Sequence, residues 1–97
     1  MDAFQALLNQ VESRTRFSAH AKARIEQRGV DLTADDLARI DDAVDRMAAR
    51  GVRAALIYMS HGLAMVVSIK NRTVITALDD ASAKENIFTN IDSAAIL

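Results

Sequence analysis

The stretch LAMVVSIKNRTVITAL, from Leu63 to Leu78, decides the fold. Two apolar runs flank a polar break, Lys70-Asn71-Arg72-Thr73. Val, Ile and Thr dominate both runs, and β-branched side chains suit a pleated, half-buried surface. A polar turn between such runs predicts a β-hairpin. In the first run Leu63, Met65, Val67 and Ile69 take one face, while Ala64, Val66 and Ser68 take the other. The second face is small and partly polar, as in a sheet covered mainly on one side. Upstream, Arg53 to Met59 reads as another strand, with Ser60-His61-Gly62 as its turn.

Before Val52 the apolar period is helical. Leu37, Ile40, Val44 and Met47 recur at helical spacing, with Ala43 beside them. Thr33 is the predicted N-cap, and Asp36 stands where a capping box needs its carboxylate. Leu32 and Leu37 form a hydrophobic staple around that cap. Gly51 suits the left-handed residue that closes the helix. Asp41, Asp42, Asp45 and Arg46 are expected to face water.

A shorter helix is predicted over Ala19 to Arg28. Ser18 caps it by accepting from His20 or Ala21, and Gly29 ends it. The tetrapeptide RTRF, residues 14–17, reads as a basic connector. Phe4, Leu7, Leu8 and Val11 form one more helical stripe. That helix is too short to stand alone in water, so it docks on its own domain, a second copy or a partner. After Leu78, residues 79–86 read as a loop with room for one helical turn. Ile87-Phe88-Thr89 and Ser93 to Leu97 flank Asn90-Ile91-Asp92 as a short closing strand or hairpin tied into the sheet. The expected fold is α+β: residues 1–16 an N-terminal amphipathic segment, and 17–97 a single domain. In it, two or three N-terminal helices pack on an antiparallel β-meander of three to five strands.

Composition narrows the function classes. Twelve basic residues against thirteen acidic ones leave no global positive field to recruit nucleic acid. The absence of cysteine removes disulfides, thiol catalysis and Cys-ligated zinc, and fits a cytoplasmic location. No apolar run reaches the length of a membrane span, and no secretory signal is expected at Met1-Asp2-Ala3.

Two constellations carry candidate chemistry. His20, Arg24 and Arg28 fall at i, i+4 and i+8, so they project together as a basic stripe able to meet phosphate or acidic groups. Thr76 or Tyr58 could add a hydroxyl. The turn Lys70-Asn71-Arg72 presents two cations at a hairpin tip, where a partner could read them, and Asn71 suits a positive φ there. Set against both is the plain reading of solvated charges on a helix face and a turn. Lys84-Glu85-Asn86 is a third polar candidate. His61 is expected to face solvent in its turn. Asp79, Asp80 and Asp92 read as solvated or capping loop acids rather than metal ligands, and no catalytic residues, metal or cofactor are assigned.

The strings FSAHAKARIEQRGVDL (Phe17 to Leu32), SIKNRTVITALD (Ser68 to Asp79) and KENIFTNIDSAAIL (Lys84 to Leu97) resemble the flagellar operon protein family. The start FQALLNQV resembles that family's short N-terminal helix, although the chain reaches Phe4 without the longer polar leader expected of many members. Members are similar to proteins encoded among genes for the bacterial hook and hook cap. The resemblance implies a role in flagellum biogenesis and no catalytic mechanism. It leads to the expectation of a non-enzymatic accessory factor that binds flagellar hook, rod or export proteins, in the cytoplasm and at the flagellar basal body. The partner surface would comprise His20, Arg24, Arg28, Lys70, Asn71 and Arg72. A weaker likeness, carried by HAKARIEQRG from His20 to Gly29, is to RelE/BrnT-type ribonuclease toxins. There His20, Arg24, Arg28 and Thr76 would contact or cleave RNA, which the near-neutral charge disfavours. A third alternative is a homo-oligomeric module paired through a sheet edge or the N-terminal helix.

Overall fold

A computed structural model describes residues 3–60, 62–85 and 91–97. In chain order the elements are α1 (Ala3–Gln10), β1 (Arg16–Phe17), α2 (Ala19–Gln27), α3 (Ala34–Ala49), β2 (Ala54–Tyr58), β3 (Leu63–Ser68), β4 (Thr73–Asp79), α4 (Asp80–Glu85) and β5 (Ser93–Ile96). The sheet has five strands in the order β1-β4-β3-β2-β5. Its centre is the expected antiparallel meander β2–β3–β4. The two outer strands are parallel additions: β1 on β4 and β5 on β2. The sheet is therefore mixed, and the fold is α+β as expected.

β1 lies in the segment read as a connector. Two residues carry no usable periodicity, and only the tertiary partner makes Arg16–Phe17 a strand, with Arg16 opposite Thr73. Its ladder is short because Ser18 at once turns the chain into α2. The Ser18 hydroxyl accepts from Ala21 N–H at 3.0 Å and donates to the Ile75 carbonyl at 2.7 Å. Ile75 sits at a register shift opposite Val66 and Val67, so its side chain is turned out to solvent.

Both helix ends that carry glycine close the same way. Gly51 N–H bonds Ala48 O and Val52 N–H bonds Met47 O, a Schellman pair that needs the φ of +77° at Gly51. Gly29 and Val30 repeat it at the end of α2. The N-terminus of α3 has the full capping box: Thr33 Oγ1 accepts from Asp36 N–H, and the Asp36 carboxylate accepts from Thr33 N–H.

The main core lies on one face of the sheet. Leu63, Met65, Val67 and Ile69 meet Ala21 and Ile25 of α2 and Leu37, Ile40, Val44 and Met47 of α3. Each such aliphatic side chain, once fully buried, contributes about 1.5–3 kcal/mol. α1 docks on this core through Leu8, and Phe4 meets Phe17 edge-on with ring centroids 5.0 Å apart. Of the three docking choices open to α1, the chain takes its own domain. The opposite face carries a smaller cluster of Ala64, Leu78 and Ala83 with Tyr58 and Val66, covered in part by α4.

One expectation fails inside α3. Asp42 and Arg46 are exposed and pair with each other, but Asp41 is buried, at 9% exposure. Its position one turn beyond Leu37 brings it to the border of the apolar stripe. There the RTRF segment crosses it and supplies three donors. The expected turn and strand residues His61 and Ile87-Phe88-Thr89, with Asn86 and Asn90, lie outside the described residues.

Candidate functional site

The helix stripe forms as its spacing predicts, because α2 packs Ala21 and Ile25 inward and leaves His20, Arg24 and Arg28 along another face. The three side chains then differ. His20 is exposed. Arg24 is half-buried, and its Nε is buried without a hydrogen-bond partner among the described residues. Arg28 Nη1 lies 2.8 Å from Asp79 Oδ2. Asp79 in turn caps α4, accepting from Ser82 N–H at 2.6 Å. The bonds from Ser82, with the Arg28 guanidinium beside them, hold the Asp79 carboxyl below its usual range. Arg28 is thus tied to the start of α4.

The hairpin tip splits in a similar way. Lys70 and Asn71 are exposed. Arg72 folds back over α3: Nη1 is 2.8 Å from Asp45 Oδ1, Nη2 is 4.0 Å from Asp41 Oδ1, and Nε donates to Arg14 O at 3.4 Å. The positive φ of the turn falls on Arg72, at +50°, and not on Asn71. Asn71 instead donates its N–H to Ser68 Oγ, and its carbonyl accepts from Thr73 Oγ1. The stripe runs along β4: the start of α2, just before His20, lies beside Val74 and Ile75, and Arg28 reaches Asp79 at the end of β4 far from the tip. Seven residues of strand put Arg28 and the tip about 20 Å apart, so the six candidate residues form two patches. Lys84 and Glu85 belong to α4.

Sequence reasoning missed the cluster that joins these parts. Asp41 Oδ1 accepts from Thr15 N–H at 3.0 Å and from Thr15 Oγ1 at 2.6 Å. Asp41 Oδ2 accepts from Arg14 N–H at 3.2 Å. Arg14 reaches Asp45 at 2.8 Å, beside Arg72. Burial alone would raise the Asp45 carboxyl, but the two guanidiniums outweigh it and hold the group below its usual range. The one signal available was an acid bordering the core stripe of α3 together with an Arg-Thr-Arg run before Phe17. This knot fixes the tip backbone from below and leaves only Lys70 and Asn71 as its outward face.

The hydroxyl candidates do not join the stripe. Register places Thr76 beside Val66, and Tyr58 beside Ala64, on the sheet face away from α2. Among the described residues no group of three or more His, Cys, Asp or Glu is placed to hold a metal ion. Among them, too, no helix is long and apolar enough to cross a membrane.

A family model described as "Putative flagellar" matches residues 73–96, from the first residue of β4 through β5. No curated protein and no solved structure matches the chain. The match supports the resemblance to the flagellar operon protein family and covers the TVITALD and SAAI strands with α4 between them. It connects the chain with the flagellum.

Proposed function

We propose that this chain is a non-enzymatic accessory or assembly factor in flagellum biogenesis, acting by protein binding at the hook or basal body. The family match across β4, α4 and β5 carries this reading. Two features of the surface support a binding role. The Lys70-Asn71 tip projects from a turn braced by Arg72, so two polar side chains are offered on a fixed backbone. His20 is exposed on α2 with Arg24 beside it. Hook, rod or export proteins met in the cytoplasm at the flagellar base are the proposed partners, and acidic surfaces on them would suit both patches.

Deletion of the gene tests the reading, with swimming and hook length scored by electron microscopy. We expect shortened or missing hooks, restored by the wild-type gene and not by one carrying Lys70→Glu with Asn71→Asp. Both positions are exposed, so that variant should melt like wild type. Normal hooks and motility in the deletion strain would overturn the proposal. Full rescue by the folded tip variant would remove the tip from it.

A further inference from the structure

β5 closes one side of the sheet, and among the described residues no strand covers its outer edge. Leu97 N–H bonds the Tyr58 carbonyl at 2.8 Å. By strand alternation, the backbone N–H and C=O groups of Ala94 and Ile96 then point away from β2. Proteins commonly blunt such an edge with charge, proline or a bulge. Ser93-Ala94-Ala95-Ile96 has none of these, and Ile96 is 86% exposed. Beside the edge runs a groove between α3 and β5, floored by Met47, Val52 and Leu97 and bordered by Arg46 and Arg50.

We propose that this edge pairs with the same edge of a second copy of the chain. The strands run antiparallel about a two-fold axis through Ala95, and two five-stranded sheets join into one. The inference is independent of the flagellar reading.

The edge is complementary to itself. With Ala95 on the axis, Ala94 of each copy lies opposite Ile96 of the other. Both residues belong to the outward set that makes ladder bonds, and each exposed isoleucine covers a methyl-sized neighbour. A two-residue slip that puts Ala94 on the axis sets Ile96 against Asp92. A one-residue slip turns the side chains to opposite faces. A seam this short lies below about 1,200 Å² in total, at the low end of specific interfaces. The dimer is therefore expected to form and dissociate in the micromolar range.

The chain has no cysteine, so single-cysteine reporters are unambiguous. In the proposed register Ala95 faces itself in a non-hydrogen-bonded pair, where Cα atoms stand about 4.5 Å apart. A disulfide bridges about 4.4–6.8 Å. Oxidation should convert Ala95→Cys to a covalent dimer at least several times faster than Ala94→Cys. Sedimentation of the wild-type chain across the micromolar range should show its mass rising from 10.6 kDa toward twice that value. Ile96→Lys, at a position already exposed and with its fold checked by circular dichroism, should stay monomeric. A wild-type chain monomeric throughout, or an Ile96→Lys chain that dimerises equally, overturns the proposal. So does a monomer whose Ala94 and Ile96 amide signals shift on adding an acidic extended peptide, since the edge then serves a different partner. Equal cross-linking at the two cysteine positions overturns the register and with it the two-fold pairing through Ala95.

Discussion

Replacing Asp41 by alanine removes the acceptor at the centre of the buried knot. Thr15 is 2% exposed, and both its N–H and its hydroxyl end on Asp41 Oδ1. With the carboxylate gone, water cannot reach either donor without opening the contact between RTRF and α3. A buried donor left without a partner costs about 1–3 kcal/mol. Two on one residue share part of that cost, so Asp41→Ala should lose about 2–4 kcal/mol. That is a large part of the ~5–15 kcal/mol that holds a domain folded. For a chain of this size it corresponds to a fall in Tm on the order of 10–20 °C. The assay is urea unfolding followed by circular dichroism, comparing midpoints at equal m. Asp45→Ala is the control, because its carboxylate is 41% exposed, its ion pair to Arg14 is screened by solvent, and water can replace it beside the half-buried Arg72. Asp41→Asn, which keeps an acceptor oxygen and loses the charge, should fall between the two. A Thr15→Val, Asp41→Ala cycle should show coupling, since the hydroxyl left stranded by one change is removed by the other. Equal midpoints for Asp41→Ala and Asp45→Ala would refute this account of the knot.

Other perturbations give separate checks. Gly51→Ala meets no neighbour within 4 Å and suffers only the left-handed backbone, so thermal melts should show a loss of about 1–2 kcal/mol. Gly51→Asn should lose less. Ile40→Ala empties a site with 0% exposure in the main core and should cost about 2–5 kcal/mol in urea titrations. Asp45 and Asp79 both have carboxyls held below the usual 3.8. The unfolded chain therefore takes up protons first on acidification. The stability these two groups supply is complete above about pH 5 and is lost as pH falls through the unfolded 3.8 to their lower folded values. Melts from pH 7 to pH 3 should be flat and then decline, and an Asp45→Asn, Asp79→Asn chain should decline less. A decline of equal depth in that variant would remove both groups as the cause.

The meander was legible because its signals are local. β-branching and alternation mark both arms of Leu63 to Leu78, and Thr33, Asp36, Gly29 and Gly51 punctuate the helices by chemistry within a few residues. What could not be read depended on distant partners. Arg16–Phe17 is a strand only because Thr73 and Val74 lie beside it. Asp41 is buried only because Thr15 crosses it. Ser93 to Ile96 shows that it is tied to the sheet, but not that it runs parallel to β2 rather than folding back as a hairpin. The candidate residues were legible as types and spacings. The folding of Arg28 onto Asp79 and of Arg72 onto Asp45 depends on tertiary neighbours that no spacing encodes. Sequence thus located two basic patches, and the fold decides which of their charges remain free to meet a partner.

The parallel outer strands also set an order of events when the chain folds. β2, β3 and β4 are linked by short turns and can zip locally, whereas Ser18 meets Ile75 across 57 positions and Arg53 meets Asp92 across 39. Closing loops of that length costs entropy before any contact returns it, so the flanking strands should join last, after the meander has set the folding rate. Until β1 and β5 arrive, the meander has two raw edges at once. The transient species most prone to association is then the half-built sheet, and crowding this chain during refolding should divert it there. Changes at β1 or β5 should mostly speed unfolding, and changes in β3 should slow folding itself.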